Sequence, residues 1–341
     1  MGELSKISPE DVQAILPGHR DWRKEQEAAN AKKVETLMAT WNKGLSGEAL
    51  YLAKILILCG LPLKPRKDSK PVTRTARTGK NEKVTVTFSV TDENIPLPYG
   101  KDRNMAHFIT NKGVRAQSTL LDWKDVNEYL ALFGKWERSG KNHKIAQARF
   151  IRLAYMNISI TYVKKDGDRE VTHTIKAPLL EAAAINGAVD EKTGKWVVKD
   201  TPKKMFAIAE MARLGTTFFA QFLAPKKSVP VPFDLIDQFA DQPQLLDYAL
   251  FLYYRSFVGQ TDTLITWEQI KRQFDDQDKN PHRWVANFRK VVRIIKLMPH
   301  PFSLLDVTVT GKGITIVPFP VGTEFVAGHP KRKFLPSSSV E

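Results

Sequence analysis

The sequence predicts an α+β fold of two tandem units preceded by a helical segment, on three observations. The element order read over residues 102–175 is helix, short extended piece, helix, turn, basic helix, hairpin, and it returns over residues 245–317. Each copy ends in a basic helix followed by two β-rich runs around a polar turn. The chain has 341 residues, and at about 150 residues per domain that leaves room for two domains and an extra segment. This order is that of a helix-turn-helix elaborated by a β-wing, the winged helix. The expected organisation is a helical N-terminal segment over 1–60, a basic arm and strand over 61–94, a first winged-helix domain over 95–224, a second over 225–320, and a tail over 321–341.

The N-terminal reading rests on local signals. Ser8-Pro9-Glu10-Asp11 is a helix start with Pro at the first helical position, and polar helix formers run over 20–43. The apolar stretch 46–59 reads as a short helix ending at Gly60. Over 61–83, eight basic residues (Lys64, Arg66, Lys67, Lys70, Arg74, Arg77, Lys80, Lys83) face two acidic ones, Asp68 and Glu82. Pro62, Pro65, Pro71 and Gly79 break any regular element there, so the stretch reads as a basic arm. Alternation through Val84, Val86 and Phe88 makes 83–90 a strand.

A helix over 102–116 opens the first unit, and residues 120–123 form a short extended piece. A helix over 124–133 places Val126, Tyr129, Leu130 and Phe133 on one face. After Gly140 comes a basic helix over 142–155. The runs 158–163 and 170–175 then flank Lys164-Lys165-Asp166-Gly167-Asp168-Arg169, and an Asp-Gly type of turn between β-branched runs is a strong hairpin signal. The second unit repeats this with an apolar helix over 245–258, the extended Leu264-Ile265-Thr266-Trp267, a helix over 268–274 and a basic helix over 281–298. Its hairpin, 304–309 with 313–317, closes on Thr310-Gly311-Lys312-Gly313. Aligning Lys141-Asn142 with Lys279-Asn280 without gaps puts Ala148 on Ala286 and Phe150 on Phe288, so the units read as a diverged internal repeat. Residues 192–204 and 225–228 look like linker.

The third helix of each unit carries the functional expectation. At 100° per residue, Trp284, Phe288, Val291, Val292 and Ile295 share a core face, and His282, Ala286, Arg289, Arg293 and Lys296 lie opposite. In the first copy Ala146, Phe150, Leu153 and Ala154 share a face, with Lys141, Lys144, Ala148, Arg152 and Tyr155 opposite. An alanine in the middle of each basic face lets the backbone approach a groove floor while the surrounding long side chains reach phosphates or guanine edges. A charged helix face is often merely solvated. Yet between Lys279 and Lys296 there are six Lys or Arg and no Asp or Glu, whereas ordinary surface helices mix signs. The residues expected to contact DNA are therefore Lys141, Asn142, Lys144 and Arg152 in the first basic helix and Lys164, Lys165 and Arg169 in its wing. In the second unit they are Lys279, Asn280, His282, Arg283, Arg289, Arg293 and Lys296, with Lys312 in the wing.

Composition narrows the class. The 52 Lys and Arg against 37 Asp and Glu give a formal charge of +15, which points to a polyanionic partner. The single cysteine, Cys59, excludes a disulfide framework and a zinc site built on Cys pairs and suits a reducing compartment. No run is long and apolar enough to span a bilayer and no secretory signal opens the chain, so a cytoplasmic address without membrane contact is expected. Gly311-Lys312-Gly313 lacks the rest of a phosphate loop, and Asp275-Asp276-Gln277-Asp278 lacks the glycine and terminal Glu of a calcium loop. The seven histidines never occur as a pair separated by one residue, the arrangement a metal-dependent strand-nicking initiator needs, and His173 reads as a strand histidine. No enzyme activity, metal or cofactor is expected.

At Ile95-Pro96-Leu97-Pro98-Tyr99-Gly100-Lys101-Asp102-Arg103 the sequence resembles the plasmid-encoded RepA replication proteins. The resemblance continues through 140–150. It resumes at Phe218-Phe219, Val229-Pro230-Val231-Pro232-Phe233-Asp234-Leu235 and Leu246-Asp247-Tyr248 and runs to 314–320, covering about 95–320 in all. It implies an initiator that binds repeated sites in plasmid origin DNA through paired winged helices, recruits a host replication initiator and helicase, and dimerises to repress its own gene. The aromatic-rich helix 245–258 has more large side chains than one helix face buries, which suits either a dimer surface or a helix wedged between the two units. Two rival readings remain: a winged-helix transcription regulator without a replication role, and a protein whose basic faces dock on an acidic partner. Trp136, on a polar loop, could also stack a single-stranded base.

Overall fold

The computed structural model describes residues 46–66, 68, 70–79, 81–121, 126–134, 140–166, 169–182, 188–189, 196–197, 212–224, 227–259, 261–274 and 281–325. The helix expected within 8–45, Trp136, and Asp275 to Asp278 lie outside these residues. The architecture is mixed α+β.

The chain enters on strand β1 (Ala49–Ala53), followed by a single helical turn α1 (Lys54–Leu58). The continuous helix expected over 46–59 is thus replaced by a strand in its first half. The reason is distant: β1 pairs antiparallel with Ser228–Pro232, Leu50 opposite Val231 and Leu52 opposite Val229. A short apolar run buried on both faces has no periodicity that separates strand from helix. Ser228, read as linker, belongs to that partner strand.

The basic arm contracts in the same way. Strand β2 (Val72–Gly79) pairs with β3 (Glu82–Val90), so regular structure begins at Val72 within the stretch expected to be broken. Arg74 hid it, because a cation interrupts the alternation of Val72 and Ala76, yet its side chain is buried and donates to the Gly60 carbonyl at 3.4 Å.

Helix α2 (Asp102–Ala116) is buried along most of its length and packs on β1. Helix α3 (Val126–Gly134) buries Tyr129, Leu130 and Phe133 as the sequence predicts, and α4 (Gly140–Ala154) is the first basic helix. Strands β4 (Met156–Asp166) and β5 (Arg169–Pro178) form the expected hairpin. β4 also pairs with β3, so one four-stranded antiparallel sheet of order β2-β3-β4-β5 runs across the boundary placed between 94 and 95. Short pairs follow, β6 (Leu180–Ala182) with β9 (Arg213–Leu214) and β7 (Ala188–Val189) with β8 (Trp196–Val197). Then come a brief helical stretch, α5 (Thr216–Phe218), continued by a π turn over Phe219–Leu223, and β10 (Ser228–Pro232).

Helix α6 (Phe233–Phe239) was not expected from the sequence; after it the order is the expected one: α7 (Pro243–Val258), β11 (Thr263–Thr266), α8 (Trp267–Phe274), α9 (Pro281–Leu297), β12 (Asp306–Val309) and β13 (Gly313–Val317). The second sheet has the order β11-β13-β12. α7 is the centre of the molecule, packed against α1, α6, α9 and β13. Residues Leu245 to Tyr254 are all buried, and Phe257 stacks beside Tyr253. Its aromatic surplus is consumed within the chain rather than left as a dimer surface. No helix among the described residues is long and apolar enough to cross a membrane.

Candidate nucleic-acid interface

Helix α9 is fixed by its apolar stripe. Trp284, Phe288, Val291, Val292 and Ile295 are all buried, and the Phe288 ring stacks on Tyr248 of α7 at 4.0 Å between centroids. Trp267 meets Phe288 edge-on at 5.6 Å. A stripe about 100° wide held this way leaves the opposite side to water, and there His282, Arg283, Ala286, Arg289, Arg293 and Lys296 are exposed. Among the described residues Arg289, Arg293 and Lys296 make no hydrogen bond or ion pair. The flank of α9 is different: Lys290 Nζ donates to Gln242 Oε1 at 3.1 Å, and Asn287 Nδ2 to Gln244 Oε1 at 2.8 Å. Lys279 and Asn280 lie outside the described residues.

The hairpin after α9 presents Lys312 to solvent on a held turn. Trp267 Nε1 donates to the Thr310 carbonyl at 3.0 Å, and the Lys312 amide donates to Thr310 Oγ1 at 3.3 Å. Glycine at 313 is required, because a Cβ there would sit 2.2 Å from the Ile265 carbonyl oxygen.

Helix α4 buries Ala146, Phe150 and Leu153 as expected, but its basic residues divide. Lys141 and Lys144 are exposed and, with Gly140, Ile145 and Ala148, line an open depression of about 590 Å³. Asn142 is half-buried. Arg152, expected on the DNA-facing side, is held inside the molecule instead. Its Nε and Nη2 donate to Asp102 Oδ2 and Oδ1 at 2.6 and 2.7 Å, and its guanidinium lies 4.8 Å from the centre of the Tyr99 ring. Arg149 joins the same cluster, donating to Tyr129 Oη at 2.8 Å with its Nε 3.8 Å from Asp102 Oδ1. Asp102, which helical spacing does not single out, is the organiser of this end of α4. In the first wing Lys164, Lys165 and Arg169 are exposed at the hairpin end.

Two of the motifs that carried the RepA resemblance meet in the interior. Arg103, from the Leu-Pro-Tyr-Gly segment, donates to Asp247 Oδ2 at 2.7 Å, to the Pro243 carbonyl at 2.6 Å and to the Leu61 carbonyl at 2.7 Å. Burial pushes the Asp247 carboxyl up to about 7 against the pull of Arg103 and Arg74. Nearby His107 is buried with neither ring nitrogen hydrogen-bonded among the described residues, and burial, aided by the Arg103 charge, lowers its pKa to about 3. Burial raises the Cys59 thiol to about 12, partly offset by Arg74 and Arg255, which disfavours the thiolate. His173 is exposed on β5, and no cluster of three or more metal-ligating side chains occurs among the described residues.

No known family and no curated protein matches the chain. Among solved structures, similarity is found to the following two. A selenomethionine derivative of domains 2 and 3 of RctB has a TM-score of 0.46 and 11% identity, over 76% of this chain and 95% of that one. A second crystal structure of RctB domains 2-3 gives a TM-score of 0.45 and 12% identity, over 76% and 94%.

Proposed function

We propose that this chain is a sequence-specific double-stranded DNA-binding protein that initiates plasmid replication at repeated origin sites, with both units acting as winged helices and the second as the principal reader. The observation that carries the reading is the outer face of α9, where Arg289, Arg293 and Lys296 stand exposed without a partner among the described residues. A helix anchored along its other side can enter a major groove as one rigid body, with Ala286 leaving room for close approach. The order α7, β11, α8, α9, β12, β13, with β13 central in its sheet, supports the winged-helix assignment. The replication role, the host initiator and helicase as partners, and self-repression as a dimer rest on the resemblance of the quoted motifs to RepA proteins. The chain acts by binding, without catalysis or cofactor.

The test uses DNA flanking the gene. A footprint on it is expected, and a plasmid carrying gene and flank should replicate in a permissive host. Deleting α9 would remove Phe288 and Val291 from the core, so the informative variant is Arg289→Ala with Arg293→Ala, which should abolish footprint and replication while the protein stays folded. Replication that survives the double variant overturns the mechanism. A clone that never replicates, yet whose product represses a flanking promoter, is a transcription regulator.

A further inference from the structure

The four-stranded sheet has one face that no role above uses. Its inner face buries Val84, Val86, Phe88, Ile158 and Ile160. The register sets the outer face in three rows across the strands. The first is Thr73, Thr87, Ser159 and Lys176, and the second Thr75, Thr85, Thr161 and Thr174. The third is Arg77, Lys83, Val163 and Thr172. None of these side chains is buried, and Val163 is the single apolar one.

Two physical features set what such a face can hold. The hydroxyls are pinned in pairs, Thr73 with Thr87 at 3.0 Å, Thr75 with Thr85 at 3.5 Å and Thr161 with Thr174 at 3.1 Å. Each pair spends one O–H internally and keeps the other for an outside acceptor, on short β-branched side chains with little rotamer freedom left to lose. The charge is one-sided: Arg77, Lys83 and Lys176 have no acidic neighbour within the three rows. One carboxylate on this face, Glu170, lies beyond them toward the hairpin end, opposite Lys165.

We infer that this hydroxyl-lined, cationic sheet face is a second docking surface for the phosphate backbone of duplex DNA, made by the β2–β3 hairpin widening the first wing from two strands to four. The inference rests on the DNA-binding reading above. Ser, Thr, Lys and Arg are the side chains that supply sequence-independent phosphate contacts. Without an aromatic ring in the rows there is no platform on which single-stranded bases stack, and with one apolar residue there is nothing for a hydrophobic partner to bury. The face continues along β4 to Lys165 of the wing, while Lys164 and Arg169, one residue out of phase, project from the other side of the sheet.

The experiment measures affinity against salt for two fluorescein-labelled duplexes, one of random sequence and one carrying the DNA that flanks the gene. The variant Arg77→Gln with Lys83→Gln and Lys176→Gln should flatten the slope of log K against log[salt] by about 2 to 3 on both duplexes, at roughly 0.9 per phosphate released. The preference between the duplexes should be unchanged. Thr85→Val with Thr161→Val keeps β-branched shape and strand propensity and should weaken both complexes equally with no fall in thermal midpoint. Unchanged slopes in the triple variant, beside lost preference in Arg289→Ala with Arg293→Ala, would overturn the second surface alone and leave the face to an acidic protein. Failure of the unmodified chain to bind either duplex would overturn the DNA reading as well.

Discussion

Helices α4 and α9 occupy the same place in the repeated order, and their basic residues do opposite things. In the ungapped alignment Arg149 falls on Asn287 and Arg152 on Lys290, and both pairs turn toward the start of the first helix of their own unit. In the first unit that start offers Asp102, a buried carboxylate that captures both arginines. In the second it offers Gln242 and Gln244, neutral amides that engage Lys290 and Asn287. One step further round, Ile151, which is buried, falls on Arg289, and half-buried Tyr155 falls on Arg293. Over this stretch the first copy spends Arg149 and Arg152 inside, while the second presents Arg289 and Arg293 outside. Counting Lys and Arg on a helix does not reveal this; the residue facing them from the neighbouring helix does.

The largest expected effect breaks the comparison at its source. Asp102→Ala leaves Arg152 and buried Arg149 without their anion and should cost about 3 to 5 kcal/mol, as for removing one partner of a buried ion pair. Gln242→Ala removes one partly solvated bond and should cost about 1 kcal/mol or less. Urea unfolding of the two variants checks this, and equal losses would mean that the two helix starts are equivalent after all.

Next in size is DNA discrimination. Arg289→Ala and Arg293→Ala should each cost about 1 to 3 kcal/mol in specific binding and relax the site sequence if they reach base edges. Arg152→Ala should lower stability and leave the footprint as it is. A relaxed footprint from Arg152→Ala would make the first unit a reader too.

What the sequence made legible follows the range of the forces involved. The core stripe of α9, the two hairpins and the helix order are local periodicities, and they stand where Trp284, Phe288, Tyr129 and Ile160 put them. Strand β1 was invisible because its partner is β10, most of the chain away. Strand β2 was masked by Arg74, whose burial depends on the Gly60 carbonyl being there to receive it. Of the expected DNA contacts, Arg289, Arg293, Lys296 and Lys312 are exposed, while Arg152 is not available, for a reason that lies on another helix.

The first helices of the two units also contrast in pH response. α2 buries His107, whose folded pKa is lowered to about 3, so its contribution is full above the unfolded value of about 6.5 and is lost as pH falls below it. α7 buries Asp247, raised to about 7, whose contribution runs the other way, present at low pH and lost as pH rises through 7. The two slopes oppose each other over the shared window, so the two contributions partly cancel in the unmodified protein. The difference in unfolding free energy between it and His107→Leu should instead rise by about 1.4 kcal/mol per pH unit between roughly pH 4 and 6. A flat difference would show that the histidine is not held neutral.

The smallest effect asks whether the wings, unlike the helices, are equivalent. Lys312 sits on a turn tied down by Trp267 and Thr310, and Lys164 near the end of the β4–β5 hairpin, both exposed. Neither lies on a helix that enters a groove, so each should add one phosphate contact and no base reading. Lys312→Ala and Lys164→Ala should each flatten the salt slope by about 0.9 and weaken every duplex by the same factor. If instead Lys312→Ala shifts the preference among duplex sequences, the second wing reaches into a groove, and the contrast between the units extends from their helices to their wings.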